Sequence, residues 1–406
     1  MTLPGGKPQR QIVETFFATA ARGTEECVER EIRDLAARYA ESKIKDIRRT
    51  RAGVEFKGTL QAGYLACLWL RTASRVLLKL SEFDAYSPEE LYDGVADIDW
   101  SQHLKANQSL AVDCGISRSN MTHSHYGALK TKDAIVDQFM DHDGIRPGVD
   151  LKNPDVRINV YVLEDYATLS IDLSGALHER GYRTEMTAAP LKENLAAALL
   201  LTAGFRESFE AGGTLVDPMC GSGTLPIEAL GIALDVAPGL DRKNFGFLRW
   251  KGHDSSLWAS VFEDAKKRAA AGFDRAYGER KGQFPFIGFD EDANAIRIAS
   301  DTMLRMGFEG LVHFERRELS LAAPPADKKG IVICNPPYGE RLGEETALKG
   351  TYRKIGDLYK QKFKGWEGFV FTGSVALSKE VGLKADKKTI FFNGPIECRL
   401  LQFSLY

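Results

Sequence analysis

The apolar positions of this chain change period several times, and each change marks an element. Residues Ile12 to Ala18 alternate as a strand, and Thr24 then opens a helix whose Val28, Ile32 and Leu35 recur at helical spacing. Gly53-Val54-Glu55-Phe56 returns as a strand, and Leu60 to Leu80 reads as a helix running into another strand. This pattern predicts a small ferredoxin-like α+β unit. Strands follow at Leu110 to Cys114, Arg157 to Leu163 and Ala167 to Leu173, with a helix over Tyr126 to Met140. His178 to Thr187 lacks periodicity and reads as a linker. Beyond a helix at Ala189 to Ala203 the pattern becomes that of an α/β domain. Buried-strand runs end at Asp217, Asp290, Glu318 and Cys334, and Gly368 to Phe371 is one more strand. Lys388 to Phe392 and Ile396 to Tyr406 predict a closing hairpin with an Asn393-Gly394 turn.

The stretch from Asp217 to Asp290 is far longer than one βα unit needs. Ala237 to Phe247 is rich in Pro, Gly and aromatics, and Leu257 to Arg275 is helical, so an insertion is expected there. Trp250, Lys251, His253 and Asp254 within it either line a substrate cleft or pack, with packing the simpler reading.

At 406 residues the chain exceeds a single core, and 44% hydrophobic with 27% charged residues is ordinary for a soluble protein. No apolar run reaches the roughly 18 residues of a membrane span, so no membrane role is expected. Met1 to Arg10 is Gly/Pro/basic and reads as a tail rather than a signal peptide. The six cysteines are scattered without a Cys-x-x-Cys pair, which predicts reduced thiols in the cytoplasm. The net charge of −2 is not the footprint of a strongly basic nucleic-acid binder. Basic residues do cluster at Lys43 to Arg51, which includes Arg48, Arg49 and Arg51, and recur at 360–364 and 384–388. Each cluster is equally readable as a solvated face or a phosphate contact. His123 and His125 have no Cys or acid at ligand spacing, so no metal is expected.

Residues 335–338 read Asn-Pro-Pro-Tyr directly after the run Ile331-Val332-Ile333-Cys334. The Asn335 amide oxygen and the Pro336 carbonyl are both acceptors. The two prolines, Pro336 and Pro337, fix the geometry in which they are presented, and Tyr338 can stack on what they hold. Such an arrangement suits a planar group bearing an NH2. Two acceptors pulling on its hydrogens favour the tetrahedral nitrogen that can attack a methyl group.

Upstream, Thr214-Leu215-Val216-Asp217-Pro218-Met219-Cys220-Gly221-Ser222-Gly223-Thr224 reads as a strand, a glycine loop and a helix start. Gly221 and Gly223 let backbone approach a ligand, and the helix N-terminus favours a carboxylate. The dinucleotide spacing fails at Pro226 and no Gly-Lys-Ser/Thr is present, so neither a dinucleotide nor a phosphate loop is expected. Asp217 asks for a ligand with a cationic part, and S-adenosylmethionine has a sulfonium, an ammonium and a carboxylate. Asp290 is suited to a ribose diol, and Glu318 to an adenine amino group. Together with Asn335 they give four strand ends in order, the side of an open α/β sheet where ligands bind. Cys220 and Cys334 flank this constellation, and packing is the expected role for both.

These two motifs closely resemble those of the THUMP-containing guanine-N2 methyltransferases of bacterial 23S ribosomal RNA, which also carry the older label of N6-adenine-specific DNA methylases. Lys130-Thr131-Lys132-Asp133, Leu177-His178-Glu179-Arg180-Gly181-Tyr182-Arg183 and Ala189-Pro190-Leu191-Lys192-Glu193-Asn194-Leu195 resemble that family as well. The resemblance runs from about Phe17 to the C-terminus. It implies a Rossmann-like α/β methyltransferase domain behind an N-terminal α+β, ferredoxin-like plus THUMP, RNA-binding region. The expected divisions are 12–57 (ferredoxin-like), 58–175 (THUMP), 176–188 (linker) and 189–406 (methyltransferase). Expected cofactor contacts are Asp217, Met219, Cys220, Gly221, Gly223, Thr224, Asp290, Glu318 and Pro190. Expected RNA contacts are Arg48, Arg49, Arg51, Arg118 and Lys130. Some family members add a second domain that methylates a guanine at N7, and with the sequence ending at Tyr406 that activity is expected to be absent.

Three functions compete. Methylation of guanine N2 in ribosomal RNA is the first. The second keeps the chemistry and moves it to adenine N6 in DNA or to a protein glutamine, since both present a planar NH2. The third is a non-catalytic RNA-binding protein with a vestigial cofactor fold, against which the intact glycine loop and Asn-Pro-Pro-Tyr argue.

Overall fold

The computed structural model describes residues 12–183, 185, 191–280, 286–339 and 344–406. The first half runs β1 (Glu14–Ala20), α1 (Glu25–Arg38), β2 (Lys45–Arg49), β3 (Gly53–Gly58), α2 (Leu60–Trp69) and β4 (Ala73–Asp84). It continues through α3 (Pro88–Ala96), β5 (Ser109–Ser117), α4 (Ser124–Asp143), β6 (Gly148–Val149), β7 (Val156–Leu163) and β8 (Tyr166–Asp172). All eight strands form one sheet in the order β2-β3-β1-β4-β8-β7-β5-β6. Only β5 pairs in parallel, with β6 and β7. Strand β2 carries no legible pattern. Its sequence Lys-Asp-Ile-Arg-Arg lies at the sheet edge and is mostly exposed, so nothing selects alternation.

Helix α2 is apolar all round, and every residue from Ala62 to Trp69 is buried. A helix of that composition needs cover on both sides. One side is the sheet; the other is the stretch expected as an insertion, whose Phe247, Trp250, Val261 and Ala265 share an apolar cluster with Phe16, Tyr64 and Trp100. The Tyr64 and Phe247 rings lie 4.6 Å apart. Each fully buried large side chain here contributes on the order of 1.5–3 kcal/mol. Of the four candidates of this stretch, Trp250 is buried and His253 half-buried, while Lys251 and Asp254 are exposed but tied to the first half. Trp250 Nε1 donates to His103 Nδ1 at 3.3 Å, and Lys251 Nζ donates to the Ser101 carbonyl at 2.5 Å. His253 Nδ1 and the Asp254 N–H both meet the Tyr64 hydroxyl, at 2.8 and 2.9 Å.

The second half comprises α5 (Glu193–Thr202), α6 (Phe205–Glu210), β9 (Thr214–Asp217), α7 (Thr224–Ala233), α8 (Ser255–Arg280) and β10 (Phe286–Asp290). Then come α9 (Ala293–Arg305), β11 (His313–Arg316), β12 (Gly330–Cys334) and α10 (Glu344–Lys362). The chain closes with β13 (Glu367–Thr372), α11 (Val375–Glu380), β14 (Lys387–Asn393) and β15 (Ile396–Ser404). Its sheet has the order β11-β10-β9-β12-β13-β15-β14, parallel through β13 and antiparallel in the last hairpin. From β9 the chain builds outward to β10 and β11, then crosses back to place β12 on the other flank of β9. That reversal opens a crevice at the carboxyl ends of β9 and β12, where such sheets take their ligands. No helix among the described residues is long and apolar enough to cross a membrane.

One turn differs from expectation. Asn393 pairs with Ile396, so the two-residue turn is Gly394-Pro395 rather than Asn393-Gly394. Gly394 has φ 61°, and proline holds the following φ negative, the sign pattern of a II′ hairpin turn. Asn393 is thereby kept in the strand, with consequences for the site.

Candidate active site

Strand β9 is fully buried and delivers Asp217 to the crevice floor. The Asp217 carboxylate accepts the Met219 N–H at 3.0 Å and starts the glycine loop. The Cys220 N–H donates to the Phe289 carbonyl at 2.8 Å, and the Gly221 N–H to Asp290 Oδ2 at 2.8 Å, so the loop is tied to the end of β10. Gly223 has φ 81°, and a Cβ there would lie 2.7 Å from the Phe314 ring, so only glycine fits. It precedes Thr224, the first residue of α7, and no side chain caps that helix. The loop is therefore folded, with uncapped backbone N–H groups at its end.

Burial holds the Asp217 carboxyl well above the usual carboxylate range, and the charge of Asp290 adds to this. Among the described residues no Lys or Arg is ion-paired with either acid. A buried carboxyl beside a second acid, without a cation, is the electrostatic counterpart of a cationic ligand. Asp290 keeps acceptor capacity, because each oxygen accepts only one of the N–H bonds from Gly221 and Asp292. Met219 is partly buried against the cluster containing Val216 and Phe289. Glu318 lies two residues past β11 and is exposed; its carboxylate accepts from Ser320 Oγ at 3.0 Å and Lys354 Nζ at 3.4 Å. Pro190 lies outside the described residues, as do Glu340, Arg341 and Leu342.

On the other flank, Asn335 follows β12 directly. Its Oδ1 is buried and has no hydrogen-bond partner among the described residues. Leaving a buried acceptor unpaired costs about 1–3 kcal/mol, so this acceptor is set for a donor that the described residues do not supply. Pro336 is buried and Pro337 exposed. Tyr338 is half-buried, and its hydroxyl accepts a hydrogen bond from Asn393 Nδ2 at 2.7 Å. Gly373 lets the ring in, since a Cβ there would stand 2.9 Å from Tyr338 Cδ2. Burial raises the Cys220 and Cys334 thiols above their ordinary value, and Cys334 Sγ rests 3.5 Å from the Tyr359 hydroxyl, so both are packing groups.

Sequence reasoning did not assign roles to Asn393 or to Arg183. Residues expected to form a loose linker are docked: Arg183 Nη2 donates to Thr224 Oγ1 at 2.7 Å, and its Nε pairs with Glu193 at 3.1 Å. Arg180 pairs with Glu228 at 3.4 Å, both almost fully buried, and the Tyr182 hydroxyl donates to the same carboxylate at 3.1 Å. The linker thus braces the helix that follows the glycine loop.

The candidate RNA contacts do not form one patch. Arg48 and Arg49 lie on β2, with Arg51 in the turn after it, whereas Arg118 follows β5 at the far side of the sheet and Lys130 is on α4. Arg48 pairs with Glu55, Arg49 with Glu29, Arg118 with Glu164 and Lys130 with Glu89.

Residues 180–402, more than half of the chain, match the RMKL-like methyltransferase domain. The chain belongs to the RMKL-like methyltransferase family. Ahead of that domain, residues 85–172 match the THUMP domain and residues 15–77 the RlmL ferredoxin-like domain. The ribosomal RNA large subunit methyltransferase K/L of Methylococcus capsulatus is 46% identical over 96% of this chain and 51% of its own length. That of Syntrophotalea carbinolica is 45% identical over 96% and 53%. The chain thus spans about half the length of these curated relatives. Among solved structures of this fold, SMU.472 complexed with SAH matches with TM-score 0.82 and 32% identity, covering 97% of this chain and 98% of that one. A predicted N6-adenine-specific DNA methylase from Listeria monocytogenes matches with TM-score 0.82 and 30% identity, over 97% of each.

Proposed function

We propose that this RMKL-like methyltransferase transfers a methyl group from S-adenosylmethionine to the exocyclic N2 amine of a guanine in 23S ribosomal RNA, in the cytoplasm. The observation that carries the reading is the buried, unpartnered Asn335 Oδ1 across the crevice from the glycine loop. An amine hydrogen is the donor that would satisfy it. The curated relatives named as large-subunit ribosomal RNA methyltransferases and the RNA-docking class of the N-terminal units favour RNA over DNA or protein.

When bound, S-adenosylmethionine supplies a sulfonium-activated methyl group. The residues present fit it: Asp290 and the Asp217 carboxyl, whose ionised form a neighbouring cation would favour, face no cation among the described residues, and the uncapped start of α7 offers N–H groups to a carboxylate. SAH, the product of methyl loss, occupies a relative of the same fold. Asn335 Oδ1 and the Pro336 carbonyl would accept the two amine hydrogens and orient the nitrogen lone pair. Tyr338, steadied by Asn393, would stack on a base taken out of its helix. The contribution of these residues is proximity and orientation, and the released proton is left to solvent.

The test is methylation of naked large-subunit RNA transcribed in vitro, with nucleoside analysis and mapping of the modified position. N2-methylguanine at a single site is expected. Methylation of duplex DNA at adenine, with RNA untouched, would move the function to the second reading.

A further inference from the structure

Beside the aromatic wall of the site lies a cavity of about 330 Å³ that the chemistry described above does not use. It is walled by four parts of the chain: the β1–α1 turn, the start of β4, the docked linker with the start of α5, and the tip of the β14–β15 hairpin. Arg22, Arg75, His178 and Lys192 line it, and no Asp or Glu is among its lining residues. Arg75 is neutralised by Asp172. Arg22 is set with its guanidinium 4.6 Å over the Phe392 ring. Among the described residues neither Arg22 nor Lys192 has a carboxylate partner. His178 is pushed toward its neutral form by burial and by the charge of Lys192, which leaves it an N–H donor rather than a third cation.

The cavity is one side chain away from the reacting centre. Asn393 lines it and also bonds the Tyr338 hydroxyl at 2.7 Å. A second hollow, lined by Gly23, Glu25, Glu26, Arg49, Thr50 and Arg51, lies against the same β1–α1 turn, but its two arginines are matched by two acids, and Arg49 is paired with Glu26 and Glu29.

We infer that this cavity is a phosphodiester subsite: Arg22 and Lys192 hold the RNA backbone next to the nucleotide whose base stands against Tyr338. The inference rests on the reading of the chain as an RNA methyltransferase. Taking a base out of its stack is helped by holding its flanking backbone, and two cations without a carboxylate partner that line one hollow can bracket a single phosphate. The hollow has room for a sugar–phosphate unit.

The full chain with Arg22→Ala, Lys192→Ala and both together is assayed on large-subunit RNA transcribed in vitro. Lys267→Ala, an exposed lysine of α8 outside the cavity, is the control. Each cavity variant should raise the KM for RNA about three- to tenfold, leave kcat within about twofold, and flatten the salt dependence of RNA binding by about one unit of log–log slope. Lys192→Arg should restore the wild-type KM, and calorimetry should show S-adenosylmethionine binding unchanged. A double variant with wild-type KM and salt slope overturns the assignment, as does loss of cofactor binding, which would make these residues structural. Competition by inorganic phosphate with no change in the RNA KM of the variants would reassign the cavity to a free anion. A wild-type chain that methylates no RNA removes the parent reading instead, and this one with it.

Discussion

Replacing Asn393 by Ala deletes one hydrogen bond, from Nδ2 to the Tyr338 hydroxyl at 2.7 Å, and leaves the Tyr338 ring in place. A part-buried neutral hydrogen bond is worth about 0.5–1.5 kcal/mol net. If it serves to hold the ring at the stacking angle, that energy appears in the transition state, as a loss of about two- to tenfold in kcat/KM. Global stability should change little, because Asn393 stays paired with Ile396 through its backbone. The assay is methyl transfer from labelled S-adenosylmethionine to RNA at subsaturating substrate. A double-mutant cycle with Tyr338→Phe makes it decisive. Tyr338→Phe alone should cost a similar factor, and Asn393→Ala should cost nothing further in the Phe background. Additive losses would refute the coupling and reduce Asn393 to a hairpin residue.

Four other outcomes follow from the same geometry. Asn335→Ala should abolish turnover while calorimetry shows cofactor binding only modestly weakened, and an active variant would refute the role given to its oxygen. Gly223→Ala must accept φ 81° and a Cβ 2.7 Å from Phe314, so cofactor affinity should fall at least about tenfold with a stability loss of about 1–3 kcal/mol in a melting curve. Arg180→Met strands the buried Glu228 carboxylate and should cost about 3–5 kcal/mol in denaturant unfolding, against far less for an exposed pair such as Arg297–Asp301. Because the Asp217 carboxyl is raised, the free fold binds more protons than the unfolded chain, so this group's contribution to stability falls as pH rises from the ordinary carboxylate range toward its folded value. A cation beside it reverses that preference. S-adenosylmethionine affinity, measured by calorimetry, should therefore rise with pH over the same window, and Asp217→Asn should remove that rise.

Much of the fold was readable from the chain because its signals are local. A four-residue buried strand, a pair of glycines and an uncapped helix start lie within a dozen residues, and their spacing is that of the loop they form. Asn335, Pro336, Pro337 and Tyr338 are likewise consecutive, so their shared position at a strand end needed only the apolar run before them. Where competing local signals met, sequence reasoning failed. Asn393-Gly394 and Gly394-Pro395 are both turn dipeptides, and only the pairing of Asn393 with Ile396 chooses between them. Strand β2 is an exposed edge, and an edge bears no alternation to read.

The sequence by itself determined which chemistry this protein carries: an acidic strand end with a glycine loop, and an acceptor-bearing Asn-Pro-Pro-Tyr corner. Tertiary structure alone decided what surrounds that chemistry. The stretch His178 to Thr187 reads as a linker because it lacks periodicity, yet within it Arg180 finds Glu228 and Arg183 finds Thr224 across the interior. The Trp250 segment reads as an insertion, yet it supplies the missing cover for α2. Asn335 Oδ1 is left without a partner among the described residues because the fold buries it there without supplying a donor. A residue's type sets what it can bond; which partner it meets, or fails to meet, depends on segments far away in the chain.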